Sequence, residues 1–185
     1  MFQIRQSVFE TNSSSIHSIC ISKHKPVLPD GVDFRIGEYG WGCGPTNTQD
    51  YVYTAILLQD EPKRSDMLDK LKKILMKHKI EASFQEPEFV ESSWSKGTFY
   101  LVNGYIDHYD GVSYMLDKLF EDEDLLLRCL FGPESIVYTG HDNMDAEEYL
   151  PCHAYSPTYY NWDANEDVPN PYHDPENFEY FVKGN

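Results

Sequence analysis

The chain has 185 residues, 41% hydrophobic and 15% aromatic, with a formal net charge of −16 at pH 7. That length suffices for one ordinary core, and fourteen tyrosines and ten phenylalanines are too many for a simply solvated, disordered chain. So acidic a protein repels a phosphate backbone, so no direct nucleic-acid binding is expected, and no window approaches the roughly 18 apolar residues that span a bilayer.

The opening MFQIRQSVFE lacks the uninterrupted apolar run of a secretory leader. Cys20, Cys43, Cys129 and Cys152 are widely spaced and form no CxxC, which suits reduced thiols in a cytoplasmic setting better than a disulfide framework. Charge is unevenly placed. Residues 1–103 hold 13 acids and 12 bases, whereas residues 104–185 hold 18 acids against Lys118, Arg128 and Lys183 alone. An asymmetry of that size needs a functional or structural reason.

In chain order, QIRQSVFE and SIHSICIS read as the two arms of a hairpin turning at Thr11, Asn12 and Ser13. Pro26, Pro29 and Gly31 punctuate the connection to VDFRIGEY, and GWGCGP at residues 40–45 reads as a loop. Residues 48–59 read as a helix. SDMLDKLKKILMKHK is a clear amphipathic helix, with Met67, Leu68, Leu71, Ile74 and Leu75 on one face, lysines on the others, and Ser65 or Asp66 as the cap. Residues 82–86 and 98–103 read as strands. VSYMLDKLFEDEDLLLRCLFG predicts two helical pieces divided at the acidic run Glu121 to Asp124, and SIVYTG at 135–140 reads as the last core strand. Beyond Gly140, five prolines and nine aromatics recur among acids, a pattern that suits packing along the domain or a partner better than a free tail.

Several constellations carry chemistry. Thr11, Asn12, Ser13, Ser14, Ser15 and His17 combine hydroxyls with a base, as a serine nucleophile requires, and could equally cradle a phosphate in a turn. No GxSxG elbow surrounds the serines, so a purely structural turn is the first expectation. His17, Cys20, Cys43, Cys152 and His153 are the types that hold a structural zinc ion. On a regular strand, however, His17 and Cys20 point to opposite faces, so a shared metal needs a bulge between them. His141 with Asp142 and Asp145, and His173 with Asp174, are pairings expected by chance in so acidic a chain. No Walker loop or dinucleotide fingerprint is present, which leaves nucleotide hydrolysis unsupported.

The acids offer a different chemistry. A channel that holds duplex DNA is lined with lysine and arginine, so a folded surface dense in carboxylates can occupy it instead. Glu121, Asp122, Glu123 and Asp124 form one candidate surface, and Asp163, Glu166, Asp167, Asp174, Glu176 and Glu179 a second, with interleaved aromatics as anchors.

The run RQSVFETNSSSIHSI, residues 5–19, resembles the opening of a family of small, mostly uncharacterised proteins of phages and mobile elements of Gram-positive bacteria. The family has no agreed activity, so the resemblance carries over no catalytic role. Ile16 stands where the family pattern has threonine, which weakens a hydroxyl-cluster chemistry. The context it implies is inhibition of host defences, and by analogy in size and acidity the chain is similar to some anti-CRISPR proteins.

The expectation is therefore an α+β single domain, its N-terminal β-hairpin leading into a mixed or antiparallel sheet covered by two or three helices. Residues 1–140 form the core, and residues 141–185 an acidic, Tyr/Pro-rich C-terminal segment packed on it as part of the same domain. The expected function is anti-CRISPR-like inhibition: an acidic surface binds a host protein with a basic nucleic-acid-binding groove, such as an RNA-guided nuclease, and blocks nucleic-acid access. The alternative is an enzyme or small-ligand or phosphate-binding protein centred on TNSSSIHS.

Overall fold

The computed structural model describes residues 15–40, 42, 44–93, 97–107, 110–141, 150–161 and 164–183. The chain is an α+β domain. Its strands are β1 (Ser15–Ser22), β2 (Gly31–Phe34), β3 (Glu38–Tyr39), β4 (Gly44–Thr46), β5 (Glu81–Phe84), β6 (Phe89–Glu91), β7 (Phe99–Leu101), β8 (Tyr105–Ile106), β9 (Ile136–His141), β10 (Thr158–Asn161), β11 (Glu166–Pro169) and β12 (Phe178–Lys183). Between them run α1 (Thr48–Leu57), α2 (Lys63–Lys77), α3 (Asp110–Glu121) and α4 (Glu123–Phe131).

The main sheet is antiparallel, in the order β12-β1-β9-β4. Its centre is β1, SIHSICIS, whose β-branched and apolar residues suit a strand buried on both faces. The register runs without interruption from Ser15 opposite His141 to Cys20 opposite Ile136, and from His17 opposite Lys183 to Ser22 opposite Phe178. Along His17–Cys20 both edges of β1 are taken, by β9 and β12. The first arm of the expected hairpin and its turn at Thr11 to Ser13 lie outside the described residues. SIVYTG is a core strand as expected, but β12 enters the sheet after it. GWGCGP is not wholly loop either, since Gly44 to Thr46 pair with β9.

Side chains of a strand alternate between faces. From β1, Ile19 and Ile21 enter the helix-side core with Leu116 and Leu119 of α3 and Leu126 and Leu130 of α4. On the other face, Ser18 and Cys20 meet the C-terminal segment: the Ser18 hydroxyl donates to the Cys152 carbonyl at 2.6 Å. There Cys152, His153 and Ala154 are buried, Tyr138 meets the Tyr172 ring edge-on, and His173 stacks on Tyr180.

α2 buries Met67, Leu71, Ile74 and Leu75, the stripe the periodicity marked, with Leu68 packed at its margin. It starts earlier than expected and Ser65 is not its cap. The Glu61 carboxylate serves instead, accepting from the Ser65 hydroxyl at 2.7 Å and the Ser65 N–H at 3.3 Å. The break between α3 and α4 falls within the acidic run: Asp122 is the N-cap of α4 and accepts from the N–H groups of Asp124 and Leu125. Gly132 then ends α4 where a Cβ would stand 2.3 Å from the Arg128 carbonyl oxygen, a position only glycine fits.

Candidate functional sites: a sealed polar cluster and an uncompensated acidic layer

Polar side chains gather at the helix-side end of β1. The Lys183 ammonium, only 1% exposed, donates to the Ser15 carbonyl at 2.8 Å and to the Ser15 hydroxyl at 2.5 Å. Beside it the fully buried His17 places Nδ1 2.8 Å from the Tyr51 hydroxyl of α1. Burial first, then the Lys183 charge, push the His17 imidazole down to about 3, against the pull of Asp107 and the Gly40 backbone. His17 Nε2 has no hydrogen-bond partner among the described residues. The ring is therefore neutral at pH 7. A neutral imidazole next to a serine is the right species for a general base. Yet its hydroxyl neighbour Ser15 is as buried as the ring and already engaged by Lys183. Thr11, Asn12, Ser13 and Ser14 lie outside the described residues.

The zinc candidates do not converge. His17 faces the helices while Cys20 faces the C-terminal segment, because β1 is regular between them and supplies no bulge. Burial raises the Cys20 thiol to about 12, with the neighbouring Cys152 adding to the shift, so Cys20 is held protonated, not as the thiolate that zinc requires. Cys152 donates its Sγ–H to the Thr139 carbonyl at 3.2 Å, and the His153 carbonyl accepts from Asn170 at 2.9 Å. Among the described residues no group of three or more His, Cys, Asp or Glu side chains is placed to hold a metal ion, and Cys43 lies outside them. The residues present do not fit a structural zinc site.

The nine candidate interface acids among the described residues separate into two electrostatic classes. On the helix layer, Glu121 pairs with Lys118 at 2.8 Å, Glu123 with Lys77 and His78 at 2.8 Å each, and Asp124 with Arg128 at 2.9 Å. Asp122 is spent on the α4 cap. Lys77 holds the Glu123 carboxyl below the usual carboxylate range, His78 adding to it. Lys63 of α2 likewise reaches Asp117 at 2.7 Å. Lys63 and Lys77 of α2 thus reach acids of α3 and α4, while Lys118 and Arg128 pair with Glu121 and Asp124 within their own helices.

The C-terminal layer differs. Glu179 shares Arg128 with Asp124, at 3.1 Å, and Asp174 closes a turn by accepting from the Asn177 side-chain amide at 2.8 Å and from the Asn177 and Glu176 N–H groups, which together lower its carboxyl. Glu166 and Asp167 on β11, and Glu176, are exposed and make no ion pair among the described residues. Tyr160 and Tyr172 stand exposed in the same layer. Asp163 lies outside the described residues.

The sequence signal for this distinction was the absence of any base between Arg128 and Lys183. What sequence reasoning missed was Lys183 itself, counted as a surface base and in fact sealed inside. Two shallow grooves, about 250 and 360 Å³, flank Arg35 along β2 and are lined by none of the candidate residues. Comparison with protein-family models, with curated proteins and with solved structures gave no match. Among the described residues no helix is long and apolar enough to cross a membrane.

Proposed function

We propose that this protein binds rather than catalyses: it is an anti-defence inhibitor of the anti-CRISPR kind, whose C-terminal layer occupies the basic groove of a nucleic-acid-handling protein and blocks nucleic-acid access. The observation that carries the reading is the burial of Lys183. It is the only lysine or arginine after Arg128, so the last third of the chain brings no exposed lysine or arginine of its own to this surface, which Lys23 reaches from the end of β1 by donating to the Pro175 carbonyl at 2.6 Å. Carboxylates with aromatics between them match a groove lined by lysine and arginine, giving attraction from the charges and desolvated anchors from Tyr160 and Tyr172. The helix-layer acids contribute little, because cations on the same surface screen their field.

The test is competition. The purified protein is titrated into a binding assay between an RNA-guided nuclease and its target DNA, at low and high salt, beside a Glu166→Lys, Asp167→Lys, Glu176→Lys triple variant. Inhibition that weakens with salt and in the variant supports the reading, whereas inhibition unchanged in the triple variant overturns it.

One observation favours a second reading, a reaction or phosphate site centred on Thr11 to His17: the orphan Nε2 of His17 beside the Lys183–Ser15 contact. A Ser15→Ala, His17→Gln variant leaves the acidic layer untouched, so loss of inhibition in that folded variant would favour the second reading over the first.

A further inference from the structure

The hairpin of β6 and β7 stands apart from the main sheet as a two-stranded sheet. Its inner face is anchored: Phe89 and Leu101 pack on the core, and the Arg64 guanidinium lies 4.3 Å above the Phe89 ring. Its outer face is apolar. Val90 and Tyr100 are directly opposite each other and are 55% and 57% exposed, and Val102, next on that face, is 51% exposed. Three adjoining apolar side chains on one pleat form a contiguous patch, unlike the scattered apolar residues of an ordinary surface.

The backbone of the hairpin is open as well. Ser92 donates to the Thr98 carbonyl and Val102 to the Glu88 carbonyl, so in this register the N–H and C=O groups of Phe99 and Leu101 point away from β6. Among the described residues β7 has no second strand neighbour. An unpaired edge beside an apolar face is the arrangement to which an extended peptide adds as a further strand.

Charge selects the occupant. Glu86, Glu88 and Glu91 are all exposed at this hairpin, Glu88 across from Val102 and Glu91 across from Phe99. A second copy of the chain would bring the same three carboxylates against them, on top of a net charge of −16 per copy. We infer that the outer edge of β7 is a docking site for an extended segment of a partner protein in which apolar residues alternate with lysine or arginine. Main-chain hydrogen bonds to Phe99 and Leu101 would hold such a strand, its apolar side chains would cover Tyr100 and Val102 on the outer face, and its bases, projecting from the other face of the pleat, would lie on the side of Glu91. This site is independent of the acidic C-terminal layer.

The probe is a dye-labelled ten-residue peptide of alternating valine and lysine, followed by fluorescence anisotropy against the full chain. Three comparisons accompany it: a valine–glutamate peptide, the valine–lysine peptide N-methylated at alternate residues, and a Val90→Thr, Tyr100→Ser variant of the protein. Saturable binding is expected, weakened by about tenfold or more by N-methylation and by the double variant, and absent for the valine–glutamate peptide. The N-methylated peptide carries the test even where the double variant does not fold. The Glu166→Lys, Asp167→Lys, Glu176→Lys variant should bind the peptide as the parent does. No binding, binding indifferent to N-methylation, or binding lost in that triple variant would overturn the proposal, as would concentration-dependent dimerisation abolished by the Val90→Thr, Tyr100→Ser change.

Discussion

The helix layer and the C-terminal layer use the same carboxylates to different ends. On α3 and α4, Glu121, Glu123 and Asp124 each have a cation within 2.9 Å and Asp122 caps a helix, so these acids serve the fold. Across the sheet, Glu166, Asp167 and Glu176 have no ion-pair partner among the described residues. The lesson is that acid density does not measure surface potential. The position of the bases does: Lys77, Lys118 and Arg128 stand beside the helix-layer acids, whereas the last third of the chain brings no exposed lysine or arginine of its own.

The largest expected effect lies at the sheet between the two layers. The folded His17 pKa, about 3, is far below its ordinary 6.5, so between those values the unfolded chain binds the extra proton. Stability from this residue is therefore complete above pH 6.5 and is lost on acidification towards pH 3, at up to about 1.4 kcal/mol per pH unit. Urea titrations between pH 7 and 4 should show that slope flattened in His17→Gln. An unchanged slope would mean that the two layers do not seal the ring.

Arg128 comes next, since it ties the layers by charge: it meets Asp124 and Glu179 and donates to the Ser22 carbonyl at 3.1 Å. Arg128→Met should cost about 1–3 kcal/mol by denaturation, through the lost hydrogen bonds of a largely buried guanidinium. Asp122→Ala should cost about 1 kcal/mol by removing the α4 cap, read as a lower unfolding midpoint. Smallest of all, the Glu166→Lys, Asp167→Lys, Glu176→Lys triple variant should shift stability by no more than about 0.5 kcal/mol in total, because all three sites are exposed and unpaired among the described residues. If its cost equals that of Asp122→Ala, the contrast between the layers fails.

Much of the helix layer was legible because a helix writes its buried face at short range. The spacing of Met67, Leu71, Ile74 and Leu75 suffices, as does the acidic interruption that became the α4 cap. The opposition of His17 and Cys20 across β1 was legible for the same reason, since alternation follows from the pleat. The neighbours of β1 were not. FEYFVK follows a stretch broken by prolines and acids, and its pairing with β1 joins residues as far apart as Ser15 and Lys183, 168 positions along the chain. Gly44 and Pro45 read as a loop because turn formers dominate locally, and pairing with β9 overrides that preference.

By itself, the sequence determined the α+β class, the amphipathic helices and the crowding of acids into the second half, because composition and periodicity are local properties. Only the tertiary structure decided which acids are neutralised, that Lys183 is hidden against Ser15, and that His17 is a sealed neutral ring. Those outcomes depend on long-range strand pairing and on which helix face lies against which loop, and neither is encoded within any short window of residues.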